Sequence, residues 1–187
     1  ENLLAEINPE TGETARKATG SYYTPRPIVE YMVDESLKQY LLTKTKLDEN
    51  SIKRLLAYED LEAKLTENEK ESILNALDAI KVIDPACGSG AFPMGILQKI
   101  LLILQKIDPD SQDWLERKLA TIPDATLRRE LKARLKADNF NYIHKIGIIR
   151  DAIYGVDIQP IAVDISKLRF FLSLIVDEKV DDAKDNR

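Results

Sequence analysis

Two acids, each following a short apolar run, are the residues of this chain best placed to do chemistry. Asp84 follows Val82 and Ile83 and leads into Pro85-Ala86-Cys87-Gly88-Ser89-Gly90-Ala91-Phe92; Asp157 follows Ile153-Tyr154-Gly155-Val156. A carboxylate at a strand tip can accept hydrogen bonds from an ammonium group or from ribose hydroxyls. Glycines in a tight turn let the backbone come close to a ligand, and a helix start behind them supplies free N–H groups with partial positive charge. The combination is that of a nucleotide site, and the spacing argues against two common versions of it. Pro93 stands where a dinucleotide fingerprint needs its third Gly, and no Lys follows the glycines as a phosphate-binding loop requires.

The elements that must position these acids read as two strand–helix units. Residues 82–84 open with β-branched residues as a buried strand does, and the apolar run 95–104 has helical length. Residues 151–158 read as a second short apolar strand ending in an acid. The helix behind it, from Pro160 to Asp177, is expected to bury Ile161, Ile165, Leu168, Phe171, Leu172 and Ile175. Two such units predict neighbouring strands of a parallel sheet in an α/β fold.

Upstream, residues 1–18 are polar and aperiodic and read as a lead-in. Thr24 reads as an N-cap with Pro25 at the first helical position, before a helix with Val29, Met32, Val33, Leu37, Tyr40 and Leu41 on one face. Residues 43–79 are charged and helix-prone, with an apolar stripe of Leu47, Ile52, Leu55 and Leu56. Thr66 and Glu69 then have capping-box spacing ahead of Ile73, Leu74 and Leu77. The acids of this stretch read as a solvated face. The helix after the Gly-rich turn stops at Asp108-Pro109. In residues 107–150, Trp114, Leu115 and Leu119 mark one short helix, and Asp124 caps another with Leu127, Leu131 and Leu135. The basic run Arg128, Arg129, Lys132, Arg134 and Lys136 reads as a solvated face, with a phosphate-backbone contact as the alternative. His144 reads as packed or superficial.

Composition sets the outer bounds. The 187 residues suit one domain with a real core, and 44% hydrophobic with 32% charged residues fits a globular protein. A single cysteine excludes an internal disulfide framework, and a single histidine speaks against a zinc site. No apolar run has membrane-span length and the first residues lack a signal-peptide layout, so a cytoplasmic setting is expected. The formal charge of −5 does not favour this chain as a main nucleic-acid surface; DNA contact is expected outside it.

The string Asp84-Pro85-Ala86-Cys87-Gly88-Ser89-Gly90-Ala91-Phe92 resembles the cofactor motif of S-adenosylmethionine-dependent amino-methyltransferases acting on DNA. Gly20-Ser21-Tyr22-Tyr23-Thr24-Pro25 looks like the family's N-terminal cofactor motif. Tyr154-Gly155-Val156-Asp157-Ile158-Gln159-Pro160 looks like its second. The resemblance covers about residues 19–42, 80–106 and 152–178. It implies a partial Rossmann-like core with large helical insertions at 43–79 and 107–150, and S-adenosylmethionine as cofactor. Asp84 would receive the cofactor's ammonium, and Ala86, Cys87, Gly88 and Gly90 would line the methionine portion. Tyr22, Tyr23 and Thr24 would close that side, Asp157 would hold the ribose and Ile158 the adenine face. Cys87 is read as structural, a small side chain fitting the turn.

In this family, transfer to an exocyclic amine rests on Asn or Asp, then Pro-Pro, then Tyr or Phe. The eight prolines here are all isolated, so no catalytic residue is assigned. The resemblance therefore implies the N-terminal, cofactor-binding part of a larger enzyme, inactive by itself. Motif order implies adenine N6 in DNA as target, and insert size implies a restriction–modification or phage-defence methylase with a specificity or restriction subunit or domain as partner. A cytosine-N4 or RNA amino-methyltransferase, a dinucleotide-binding protein and a helical interaction module are the alternatives.

Overall fold

A computed structural model describes residues 24–59, 65–120, 122–134 and 140–176. The described chain is mostly helical around a small parallel sheet. Helix α1 (Arg26–Lys44) buries Val29, Val33, Leu37 and Leu41, one residue per turn. Its N-cap is Pro25, whose carbonyl accepts from the backbone N–H groups of Ile28 and Val29 at 3.0 and 3.1 Å. The Thr24 cap expected from the sequence is not formed. A cap at 24 would look for the N–H of residue 26 or 27, and Pro27 has none, so one of its two possible donors is missing. Met32, expected on the buried face, is exposed.

Helix α2 (Glu49–Leu56) starts at Asp48, whose carboxylate accepts from Asn50 and Ser51 N–H at 2.8 and 3.0 Å. Helix α3 (Glu67–Ala79) starts at a reciprocal capping box between Thr66 and Glu69. Strand β1 (Val82–Asp84) then leads through the Gly-rich turn into α4 (Ala91–Ile107), the most deeply buried helix. Helices α5 (Gln112–Ala120), α6 (Ala125–Arg134) and α7 (Phe140–Asp151) follow, with Asp124 capping α6 as expected. Strand β2 (Ile153–Gly155) and helix α8 (Pro160–Ile175) complete the described elements. The strands pair in parallel, Val82 beside Ile153, Ile83 beside Tyr154 and Asp84 beside Gly155, as the two strand–helix units predict.

The main core lies between α1, α2, α3 and α4, where Leu37, Leu41, Ile52, Leu55, Ile73, Ile96, Leu97 and Ile103 are almost wholly buried. Gly95 permits the α1–α4 contact: a Cβ there would stand 2.8 Å from a Val33 methyl. The stretch 43–79 is thus part of the core packing. Two lysines of α4, two turns apart, fasten it. Lys99, only 1% exposed, donates to the Leu56 carbonyl at 2.8 Å, pairs with Asp34 at 2.8 Å and lies 3.9 Å from the centre of the Tyr58 ring. Lys106 donates to the carbonyls of Arg54, Ala57 and Glu59. Both cations therefore sit at the negative, carbonyl-bearing end of α2.

Two expectations about burial fail. Strand β1 is not buried on both faces: Val82 packs against the core, but Ile83 is 66% exposed and Tyr154 beside it is also open. The apolar face of α8 is likewise exposed, with Ile161, Ile165, Leu168, Phe171, Leu172 and Ile175 all facing outward. The side of α8 turned inward carries buried Ser166, Phe170 against the core and Ser173, whose carbonyl accepts from Lys145 at 2.8 Å. Periodicity identifies an apolar face, but contact with α4 and α7 decides which face of α8 is covered. Among the described residues no helix is long and apolar enough to cross a membrane.

Candidate functional site

The two acids meet where the strands end. Backbone pairing continues past the sheet: Val156 N–H donates to the Asp84 carbonyl and Cys87 N–H to the Val156 carbonyl, both at 2.9 Å. This carries the first turn and the second strand's extension forward side by side. Asp84 Oδ1 accepts from Ala86 N–H at 3.1 Å, which bends the chain away from the strand. Gly90 N–H closes the turn on the Cys87 carbonyl at 2.8 Å, and the Gly90 carbonyl accepts from Met94 N–H as α4 begins.

Both turn glycines are required by geometry. Gly88 has φ +52° and Gly90 φ +81°, the left-handed region that side chains disfavour. They differ in surroundings. A Cβ on Gly90 would lie 2.3 Å from Ser166 Oγ, whereas one on Gly88 would meet nothing within 4 Å. The Gly88 side is therefore open to a ligand and the Gly90 side is closed by α8. A third glycine, Gly155, makes room for Cys87, since a Cβ there would stand 3.0 Å from the sulfur.

Asp157 joins the two halves. Its Oδ2 accepts from Gly88 N–H and its Oδ1 from Gln159 N–H, both at 2.8 Å. It thus braces the Gly-rich turn and the start of α8 at once. Ile158, next to it, is 89% exposed and offers an apolar surface at the site's edge. Cys87 is 8% exposed; burial pushes its thiol above the usual range, and the nearby Asp84 and Asp157 carboxylates push it the same way. A thiol held protonated is a poor nucleophile, which fits a structural role.

Thr24, exposed, lines a crevice of about 320 Å³ with Arg26, Ala91, Gly95, Lys99 and Arg169, among others. It therefore lies beside the first turn of α4. Tyr22 and Tyr23 fall outside the described residues. Ala86 is exposed in the turn. Arg169 donates from Nη1 to the Ser89 carbonyl at 2.9 Å. The motifs single out neither Arg169 nor Ser166, nor Lys99. Lys99 left one trace, a cation inside an apolar helical run; Ser166 and Arg169 left none, because their partners lie about 80 residues away.

Elsewhere the surface offers less chemistry. A larger depression of about 410 Å³ lies between α1 and α3, bordered by Tyr40, Lys44, Glu71 and Asn75, and brings no strand end near it. His144, 3% exposed, stacks edge-on to Trp114 at 4.2 Å, and burial depresses its imidazole to about 4. It is a packed histidine. Among the described residues no cluster of three or more His, Cys, Asp or Glu is disposed to hold a metal.

Comparison with known proteins gives two relatives. The chain is 30% identical over 192 residues to a Methanocaldococcus jannaschii protein whose assigned name is type II restriction enzyme and methyltransferase. It is 22% identical over 171 residues to the Streptomyces coelicolor adenine-specific methyltransferase PglX. The alignments cover 98% and 91% of this chain but only 14% and 9% of those proteins. The chain thus corresponds to a small part of far longer relatives. No family model matches the chain, and no solved structure does.

Proposed function

We propose that this chain is the cofactor-binding part of an S-adenosylmethionine-dependent DNA methyltransferase of the restriction–modification or phage-defence kind, acting on adenine N6. The observation that carries the reading is the joint built by Asp84, the Gly-rich turn and Asp157. It occurs in a chain whose relatives bear methyltransferase names.

The residues present fit the cofactor. The open side of Gly88 admits close approach of a ligand to the backbone. Asp84 has one carboxylate oxygen engaged by Ala86 N–H; the other is available for the ammonium. Each Asp157 oxygen accepts one backbone N–H and keeps a lone pair, enough for two ribose hydroxyls without breaking the brace. The exposed face of Ile158 suits an adenine ring. When bound, S-adenosylmethionine would supply the electrophilic methyl group. This chain's own residues would bind and orient it, while the base-holding residues and most DNA contacts would lie in other parts of the enzyme. The net charge of −5 agrees with that division.

Calorimetric titration with S-adenosylmethionine, with NAD as control, tests the reading. Heat for the former alone is expected. In Asp157→Ala, binding should weaken by about 1–3 kcal/mol, the scale of hydrogen bonds to a charged group. Equal affinity in that variant would remove Asp157 from the site.

A further inference from the structure

We propose that Ser166 and Arg169 of α8 are positioning residues for the Gly-rich turn, holding it in its ligand-ready shape without touching the ligand. The inference rests on the cofactor reading above.

The turn does little to hold itself. Between Cys87 and the start of α4 its internal support is the Gly90 N–H to Cys87 carbonyl bond and a weak contact of the Cys87 thiol to the Gly88 carbonyl at 3.7 Å, and two of its residues are glycines at positive φ. Glycine has no side chain to restrict those angles, so the shape must be imposed from outside. Each of the three residues 88, 89 and 90 has one holder, and all three holders come from the β2–α8 unit. Asp157 takes the Gly88 N–H, Arg169 takes the Ser89 carbonyl, and Ser166 fills the space against Gly90.

Ser166 and Arg169 are three residues apart and so occupy one side of α8. Ser166 is buried, its Cα only 3.5 Å from where a Gly90 Cβ would stand. A larger side chain at 166 would press on the turn. Arg169 is exposed and also borders the crevice with Thr24 and the first turn of α4. Its guanidinium fixes the orientation of the Ser89 peptide, which lies between the two glycines. Releasing that peptide would let both glycines move. An exposed contact of this kind contributes little to overall stability but much to the shape of the one segment it holds.

Cys87, the chain's single cysteine, is a built-in reporter because it is buried within the same turn. The experiment compares the 187-residue chain with Arg169→Ala and Arg169→Lys by three readings: alkylation rate of Cys87, affinity for S-adenosylmethionine and thermal midpoint. Arg169→Ala should speed alkylation and weaken binding, each by about three- to tenfold, the range for losing one solvent-exposed hydrogen bond. Its midpoint should stay within about 2 °C of the parent, as for a surface substitution. Arg169→Lys, which keeps a cationic donor, should recover most of both losses. Unchanged alkylation in Arg169→Ala would overturn the inference, as would a rate that rises only in step with a fallen midpoint. If the parent chain binds no S-adenosylmethionine, the cofactor reading fails, and the alkylation rates still decide whether Arg169 holds the turn.

Discussion

The helices α1–α4 and the β1–turn–β2–α8 unit are held together by different means. The first region buries whole apolar faces, and its few polar contacts in the core, chiefly those of Lys99, cap the end of α2. The second is stitched by backbone pairing and by Asp157, with its apolar side chains largely outward. Packing makes the first region rigid whatever ligand is present. Hydrogen-bond geometry gives the second a shape that a ligand can read, at the cost of local strength.

That contrast can be broken by truncating one apolar residue in each region. Ile103→Ala, at a fully buried position of α4, should cost about 3–4 kcal/mol in urea unfolding. Leu168→Ala, at the exposed face of α8, should change stability by less than about 0.5 kcal/mol. Similar losses at both sites would mean that α8 is packed as firmly as the helical core.

Next in size is Lys99→Ala, which strands the Leu56 carbonyl and takes the cation away from the partly exposed Asp34 carboxylate. A loss of about 2–3 kcal/mol is expected. Lys99→Met fills the volume without the charge and should recover part of it. A neutral Lys99→Ala would show that the α2 terminus is held by apolar contacts alone.

His144 gives a pH test of comparable scale. Its folded imidazole titrates near 4, below the ordinary 6.5, so the unfolded chain takes up the proton first as pH falls. Stability is full above about 6.5 and declines toward pH 4, by up to about 3 kcal/mol. Urea midpoints at pH 7 and 5 for the parent and His144→Phe would check this; an equal drop in both would place the titration elsewhere. A smaller effect is expected for Thr66→Ala, about 1 kcal/mol from loss of one arm of the capping box, read from the same unfolding curves.

Much of this was legible in the sequence wherever the cause was local. The capping box at Thr66, the cap at Asp124, the stop at Asp108 and the buried stripe of α1 follow from neighbours within a few residues. The parallel pairing was legible too, although the strands lie about 70 residues apart, because successive strand–helix units place their strands side by side in one sheet. What failed depended on partners far along the chain. The α8 stripe has core periodicity, yet Ser166 and Phe170 face the core instead. Thr24 lost its cap to Pro27, a local cause that the Thr-Pro pattern concealed. In the site, the motif strings pointed to Asp84, Cys87, Gly88, Gly90 and Asp157, which the structure brings together at the strand ends. The holders Ser166 and Arg169 carry no motif at all.

Cofactor binding at the strand ends is tested most directly by an amide ¹H–¹⁵N titration of the chain with S-adenosylmethionine. Shifts are expected at Ala86, Gly88, Gly90, Asp157 and Ile158, where the two strand ends meet, with α2 and α3 unmoved. Shifts confined to the depression between α1 and α3, or none at saturating cofactor, would contradict binding at the strand ends.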